Sequence, residues 1–398
     1  MSEHSSGRVF SIVKPLKEIL KDFEVREMEG KKESLGFAFP DFPVWNESLS
    51  GLRRGHLHLM VMPSKYARRH ILLEIAVSAI KAQKVPVLFM SFDKSPKNIL
   101  CELVAKETTL PLSTVQTLKV KSNAGRKEKL KTGLENLAKY QGYLHILGGS
   151  QLDTPEQIEA HLDWMKGAYK TRDVILIIDS LQRIPSYSSY PSQEERINDL
   201  CNRLKTIAVS REIPVLASSD VSAEGQEIDD ADNKDKVVLN HAWGSGSLDR
   251  YCDTGMSASK NWMDSAELDQ QLKSIAESIN KSVVRLPDLD VIDVYFDKSP
   301  GDLKKREGIQ LLLYHVTGHM SELGIITDSQ VVRANRMAKA LNSMVDEGYL
   351  EFYDPADDDQ PVVAADAAAP GAVSGMRDAV APAGPPKKKI KPSIKLSR

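Results

Sequence analysis

The chain has 398 residues, 41% of them hydrophobic and 27% charged, which is room for two domains, or three if one is small, with an ordinary core. Fifty-three basic residues against 55 acidic ones leave a net charge of −2, which excludes a polycation that coats nucleic acid. Three cysteines spaced far apart, Cys101, Cys201 and Cys252, exclude a disulfide scaffold and a paired-cysteine metal motif, and fit a reducing compartment.

The chain starts MSEHSSGRVF, without the apolar core of a signal peptide. No apolar run approaches the roughly 18 residues a membrane span needs. The expectation is a cytoplasmic protein with no membrane role. Residues 1–35 hold one helical stretch, Ile12 to Phe23, with Ile12, Leu16, Ile19, Leu20 and Phe23 on one side. It is too short to fold alone and must pack on the body or on another subunit.

Residues 36–300 alternate strands with helices. VPVLFMSF (Val85 to Phe92), YLHILGG (Tyr143 to Gly149), DVILIIDS (Asp173 to Ser180) and IPVLASSD (Ile213 to Asp220) are short continuous apolar runs. Such runs are strands buried on both faces, as in a parallel sheet. Amphipathic stretches at His70 to Gln83, Pro155 to Tyr169 and Glu194 to Arg211 supply the helices. The layout predicts an α/β fold, a parallel sheet flanked by helices. In such sheets ligands bind outside the carboxyl ends of the strands, here near Ser91, Gly148, Asp179 and Ser218.

Residues 301–353 read as a small winged-helix-like α+β domain. Ile309, Leu312, Leu313 and Val316 recur at helical spacing, a second helix runs from about Val332 to Glu347 with Met337, Leu341 and Met344 on one face, and YLEFYDP suggests a wing. Arg333, Arg336 and Lys339 on that second helix are the candidate DNA contacts, the alternative being a helical cap with no nucleic-acid role. Residues 354–386, rich in Ala, Pro, Asp and Gly, have no helical or strand period and read as a disordered linker. Residues 387–398 form a basic tail, with Lys387, Lys388, Lys389 and Lys391 as further DNA-binding candidates.

A strand, a loop and a helix at HLHLMVM, PSKYA and RRHILLEIAVSAIKA stand where a phosphate-binding loop belongs. Such a loop needs Gly-x-x-x-x-Gly-Lys-Ser/Thr: glycines for close backbone approach, a lysine for the terminal phosphates, a hydroxyl for Mg²⁺. The corresponding residues are Val61, Tyr66, Ala67 and Arg68, and none fits. The Arg68 cation would compete with Mg²⁺ for the same ground, though its guanidinium could hold a phosphate oxygen. Other sites are weaker. His56 and His58 alternate on a strand without further ligands, no Gly-x-Ser-x-Gly elbow exists, and Trp164 and Trp262 read as packing residues. The Lys-rich stretch Lys119 to Lys131 is either a solvated helix and loop or a phosphate-contacting patch.

Five segments in register nevertheless resemble the motor domain of DnaB-type hexameric replicative helicases, a RecA-like fold. ESLSGLRRGHLHLMVMPS is similar to the family's lead-in to the phosphate loop. VPVLFMSFDKSP resembles its Ser-Leu-Glu-Met segment, with Asp93 at the catalytic glutamate position. ILIIDSLQRI resembles its Ile-Asp-Tyr-Leu-Gln motif, with Asp179 as the Walker B acid. RLKTIAVSREIPVLASSD places Asp220 where the γ-phosphate-sensing Gln belongs, and GSGSLDRYCD resembles a further family motif. The helix IVKPLKEILKDFE resembles the family's linker helix, which docks on a neighbouring subunit. The likeness covers about Ile12 to Lys298; the helical collar that holds primase and the Lys-x-Arg trans finger have no counterpart. The acidic insert DVSAEGQEIDDADNKDKVVLNHAW lies where DNA-contacting loops would be, and acidic loops repel phosphate.

The resemblance thus implies a self-assembling protein that acts in DNA replication or recombination and binds DNA or replication proteins. The residues imply that Ser64, Lys65, Tyr66, Ala67 and Arg68 form a degenerate phosphate loop, that Asp93, Asp179 and Asp220 are remnants without a catalytic role, and that the chain takes no cofactor and no metal. Two alternatives stand beside this: an active ATP-dependent helicase with a deviant loop, and an ATP-independent DNA-binding regulator.

Overall fold

In the computed structural model, the residues described are 17, 36–63, 65–117, 124–148, 154–186, 189–230, 236–244, 246–261, 264–265, 268, 288–299 and 308–347. The N-terminal stretch Ile12 to Phe23 apart from Lys17, most of the lysine-rich stretch's first half, the linker and the basic tail lie outside them.

A short ribbon of β1 (Gly36–Phe37) and β2 (Leu52–Arg53) brackets helix α1 (Pro43–Leu49). The main sheet then begins with β3 (Leu57–Val61), followed by α2 (Lys65–Gln83) and β4 (Val87–Ser91). Next come α3 (Pro96–Thr108), α4 (Leu112–Gln116), α5 (Ala124–Ala138), β5 (Leu144–Gly148), α6 (Pro155–Tyr169) and β6 (Ile175–Asp179). The series continues with α7 (Gln193–Arg211), β7 (Val215–Ser219), α8 (Ala223–Asp230) and β8 (Thr254–Lys260). It ends with β9 (Leu289–Lys298), β10 (Gly308–Tyr314), β11 (His319–Ile325) and α9 (Gln330–Asp346).

The sheet has nine strands in the order β11-β10-β9-β8-β3-β7-β6-β4-β5. All pairs from β8 through β5 are parallel. From β8 to β11 the pairing is antiparallel. The expected α/β architecture is therefore present, and the four apolar runs are its inner and edge strands β4, β5, β6 and β7.

The alternation along each strand decides which side chains meet which helices. Val87, Phe89, Ile175, Ile177 and Leu216 pack on one face with α1, α2 and α3. Leu88, Met90, Leu176, Ile178, Val215 and Ala217 pack on the other with α6 and α7. Continuing the period by one step turns Ser91, Asp179 and Ser218, at the carboxyl ends, toward the α2 side. That is how α2 comes to face Asp179.

The C-terminal part corrects the sequence expectation. The helix expected over Ile309 to Val316 is the strand β10, and with β11 it forms a hairpin that extends the main sheet through β9. No separate winged-helix-like domain forms among the described residues. The reason lies in the burial pattern. All seven β10 residues are buried; Ile309, Leu311 and Leu313 face one core, while Leu312 and Tyr314 face another. A strand buried on both faces carries apolar residues at almost every position, so a helical spacing can be picked out of it by chance. The second helix is as expected: α9 buries Met337, Leu341 and Met344. The wing lies outside the described residues.

Candidate functional site

The loop after β3 leads into α2, and the fourth residue of that helix is Arg68. Its side chain is 0% exposed. The guanidinium Nε donates to Asp179 Oδ1 at 3.0 Å, and Nη1 donates to Asp220 Oδ1 at 2.6 Å. Nη1 also lies 3.5 Å from the Met62 carbonyl oxygen. Asp179 Oδ1 accepts a further bond from Ser218 Oγ at 3.1 Å. Asp179 ends β6, and Asp220 follows directly on β7, its next neighbour in the sheet. One guanidinium thus ties the carboxyl ends of two adjacent strands to the start of α2.

Three of the residues singled out from sequence, Arg68, Asp179 and Asp220, therefore meet in one ion-paired cluster. Ala67 is buried in the hydrophobic core beside it. Lys65 and Tyr66 open α2, and Ser64 lies outside the described residues. The cluster does not fit a magnesium–triphosphate. A metal between these carboxylates would have to displace the Arg68 guanidinium, which holds Oδ1 of both, and Ala67 offers no charge to a phosphate.

Asp93 stands apart. It pairs with Arg183 Nε at 3.5 Å, on a partly exposed turn. Gln182, next to that arginine, does structural work. Its Nε2 donates to Ser219 Oγ at 2.6 Å and to the Trp243 carbonyl at 2.9 Å, and its Oε1 accepts from the Asp220 amide at 3.1 Å. This fixes the backbone of Asp220 and so aims its carboxylate at Arg68.

A second ionic layer lies one residue along α2, and sequence reasoning missed it. Arg69 Nε and Nη2 bond Glu102 Oε2 and Oε1 at 2.8 and 2.7 Å. Glu74 is bonded by Lys106, and burial pushes its carboxyl up. His70 and His319 lie in the same layer, each lowered to about 3, chiefly by burial. Only a sequence separation of 33 residues joins Arg69 to Glu102, so no local motif announces the pair.

The DNA-contact candidates on α9 are spread along its flank. Arg333 Nη1 bonds Asp264 Oδ2 at 3.1 Å. Arg336 pairs with Asp328 and reaches the Leu323 carbonyl at 3.4 Å. Lys339 is exposed. Lys387, Lys388, Lys389 and Lys391 lie outside the described residues, as does Trp262. Trp164, expected to be a packing residue, is 61% exposed; it projects from α6 beside the edge strand β5, with its ring 5.7 Å from that of His145. Of the acidic insert, residues 223–230 form α8.

No curated protein sequence matches the chain. Among solved structures, the chain resembles the "ATPase Domain of G40P", with a TM-score of 0.62 at 16% identity over 78% of this chain and 99% of that one. It also resembles a DnaB-like replicative helicase whose structure was described together with its interactions with primase, with a TM-score of 0.59 at 15% identity over 78% of this chain and 67% of that one. At these identities the likeness is one of fold. The model of the DnaB-like helicase C terminal domain matches residues 40–299, most of the chain and all of the Arg68 cluster, and the protein accordingly belongs to the DnaB-like helicase C-terminal domain family.

Proposed function

We propose that this chain is a DnaB-like protein without ATP hydrolysis, which works in DNA replication or recombination by assembling with itself and by binding DNA or replication proteins. The observation that carries the reading is the burial of Arg68 between Asp179 and Asp220. A hydrolytic site must present a Walker B carboxylate to a metal; here that carboxylate is spent on an internal ion pair. The fold is kept because a fold carries oligomer and partner surfaces whether or not its site turns over. Ile12 to Phe23, with its one apolar side, is the segment proposed to dock on a neighbouring copy. Primase, in the relative named above, illustrates the class of partner. No described helix is long and apolar enough to cross a membrane, and the place of action proposed is the cytoplasm.

The test is phosphate release by the purified full chain with ATP, Mg²⁺ and single-stranded DNA. The expected result is no turnover above background. Turnover that disappears in Asp179→Asn overturns the reading and restores an active helicase with a deviant phosphate loop.

A further inference from the structure

Two carboxylates that converge inside a protein need a cation. At the carboxyl ends of β6 and β7 the oxygens that converge are Asp179 Oδ1 and Asp220 Oδ1, with Ser218 Oγ on the first and the Met62 carbonyl alongside. These are hard oxygen donors, the set that small divalent ions choose. What lies between them is the Arg68 guanidinium, wholly out of water. Its planar fork spans two carboxylates from different strands, which a compact ammonium does less well. The fit is incomplete in one respect. Arg68 Nη2 and Asp179 Oδ2 are buried without a hydrogen-bond partner among the described residues. An arginine selected for its own hydrogen bonds would leave fewer of them unmade; one that replaced a smaller, rounder cation in an existing oxygen cage leaves this kind of mismatch.

We infer that Arg68 is a resident cation that stands in the place of a divalent metal ion between Asp179 and Asp220. The wild-type chain then holds no metal at this end of the sheet, and its stability does not respond to divalent ions there. Removing the Arg68 side chain leaves two facing carboxylates, Asp179 buried and Asp220 partly so, and these take a small divalent cation. The inference rests on the reading of this site as one that has lost its metal-bound triphosphate, but the two fail separately. Phosphate release overturns the function. Metal bound by the wild-type pair, without turnover, overturns only the inference.

The probe is Mn²⁺ alone, added to the full-length wild type, Arg68→Ala and Arg68→Lys, and read by thermal melting and by loss of the free-ion electron paramagnetic resonance signal. Arg68→Ala should melt well below wild type, bind a single additional Mn²⁺, and recover much of the lost melting temperature when it does. Adding Asp179→Asn to Arg68→Ala should abolish that extra ion. Wild type should show no Asp179-dependent binding. Arg68→Lys, which keeps a charge in the cage, should gain nothing from Mn²⁺. Asp179-dependent Mn²⁺ binding by wild type overturns the inference, as does an Arg68→Ala chain that gains no stability from the ion. If Arg68→Ala does not fold alone, folding on addition of Mn²⁺ supports the inference, and failure with the ion overturns it.

Discussion

Arg68 and Arg69 are adjacent in the first turns of α2, yet their side chains tie the helix to two different parts of the molecule. Arg68 runs to Asp179 at the end of the sheet, and Arg69 runs to Glu102 on α3. Neighbours in a helix are about 100° apart around its axis, so consecutive arginines serve different faces. The Arg69–Glu102 pair is a two-pronged fork, with both side chains almost wholly buried. Such forks combine charge with fixed geometry. Glu102→Ala removes the carboxylate from a buried guanidinium, and the expected cost is about 3–5 kcal/mol. Glu156 pairs with Arg203 on the surface, where ion pairs contribute about 0–1 kcal/mol, so Glu156→Ala should stay near wild type. Urea denaturation of the two variants checks this. Equal losses would show that burial of the fork contributes nothing.

Two buried histidines, His58 and His70, and the partly buried His319 should make stability depend on pH. His58, His70 and His319 are each lowered from 6.5 to about 3, with burial as the largest cause. Arg69 and Lys106 add repulsion at His70, and Lys106 and Lys81 at His319. The sign follows from proton uptake. Between pH 6.5 and about 3 the unfolded chain binds protons at these rings and the folded chain does not, so stability falls as pH falls through this window. Each histidine accounts for up to about 1.4 kcal/mol per pH unit. Glu74, Asp293 and Asp297, raised by burial, act in the opposite sense, so the comparison that isolates the effect is between variants. His319→Gln should flatten the slope of unfolding free energy against pH by about one proton below pH 6. An unchanged slope would show that this ring is already charged, or solvated, in the folded chain.

Gly318 and His70 form a tight contact between the β10–β11 turn and α2. Gly318 sits at a φ of +76°, and a Cβ built there would lie 2.1 Å from the nearest carbon of the His70 ring. Gly318→Ala therefore meets both a strained backbone and a buried ring. The expected cost is about 2–4 kcal/mol, of which roughly 1 kcal/mol is the backbone term. In a His70→Ala background the ring is gone, and Gly318→Ala should cost about 1 kcal/mol only. A double-mutant cycle by urea denaturation reads the difference; additive costs would show that the turn does not press on His70.

Most of the parallel sheet could be read from the chain because its strands are short apolar runs between helices with clear ends. Pro155, for instance, opens α6 as the sequence implies, and Lys170 closes it in a left-handed cap. The site was legible as components. Arg68, Asp179 and Asp220 each stood out as a departure from, or a remnant of, a motif. What sequence did not show is that the three are one cluster: Arg68 lies 111 residues from Asp179 and 152 from Asp220, and only the crossover from β3 past β7 and β6 brings them together. The hairpin of β10 and β11 was hidden for a different reason. Gly308 to Tyr314 is buried on both faces, which removes the alternation that marks a strand. Gly318, which permits its turn, looked like any other loop glycine.

Residues 387–398 carry six basic side chains and no acidic one, after a stretch of 33 residues rich in Ala, Pro and Gly. Each cation that settles on a phosphate releases about 0.7–0.9 counterions, which sets the slope of log affinity against log salt. Deleting residues 387–398 should therefore weaken binding to DNA and flatten that slope by about 0.7–0.9 per engaged lysine or arginine, with no loss of fold. The competing location is α9. There Arg333 and Arg336 are already paired with Asp264 and Asp328, which leaves them less charge to offer a phosphate, while Lys339 is exposed. Filter binding or fluorescence anisotropy across a salt series, on the full chain and the truncated one, separates the two. Unchanged affinity and slope after truncation would remove the tail from the DNA-binding surface, and Lys339→Glu would then be the variant to weaken binding.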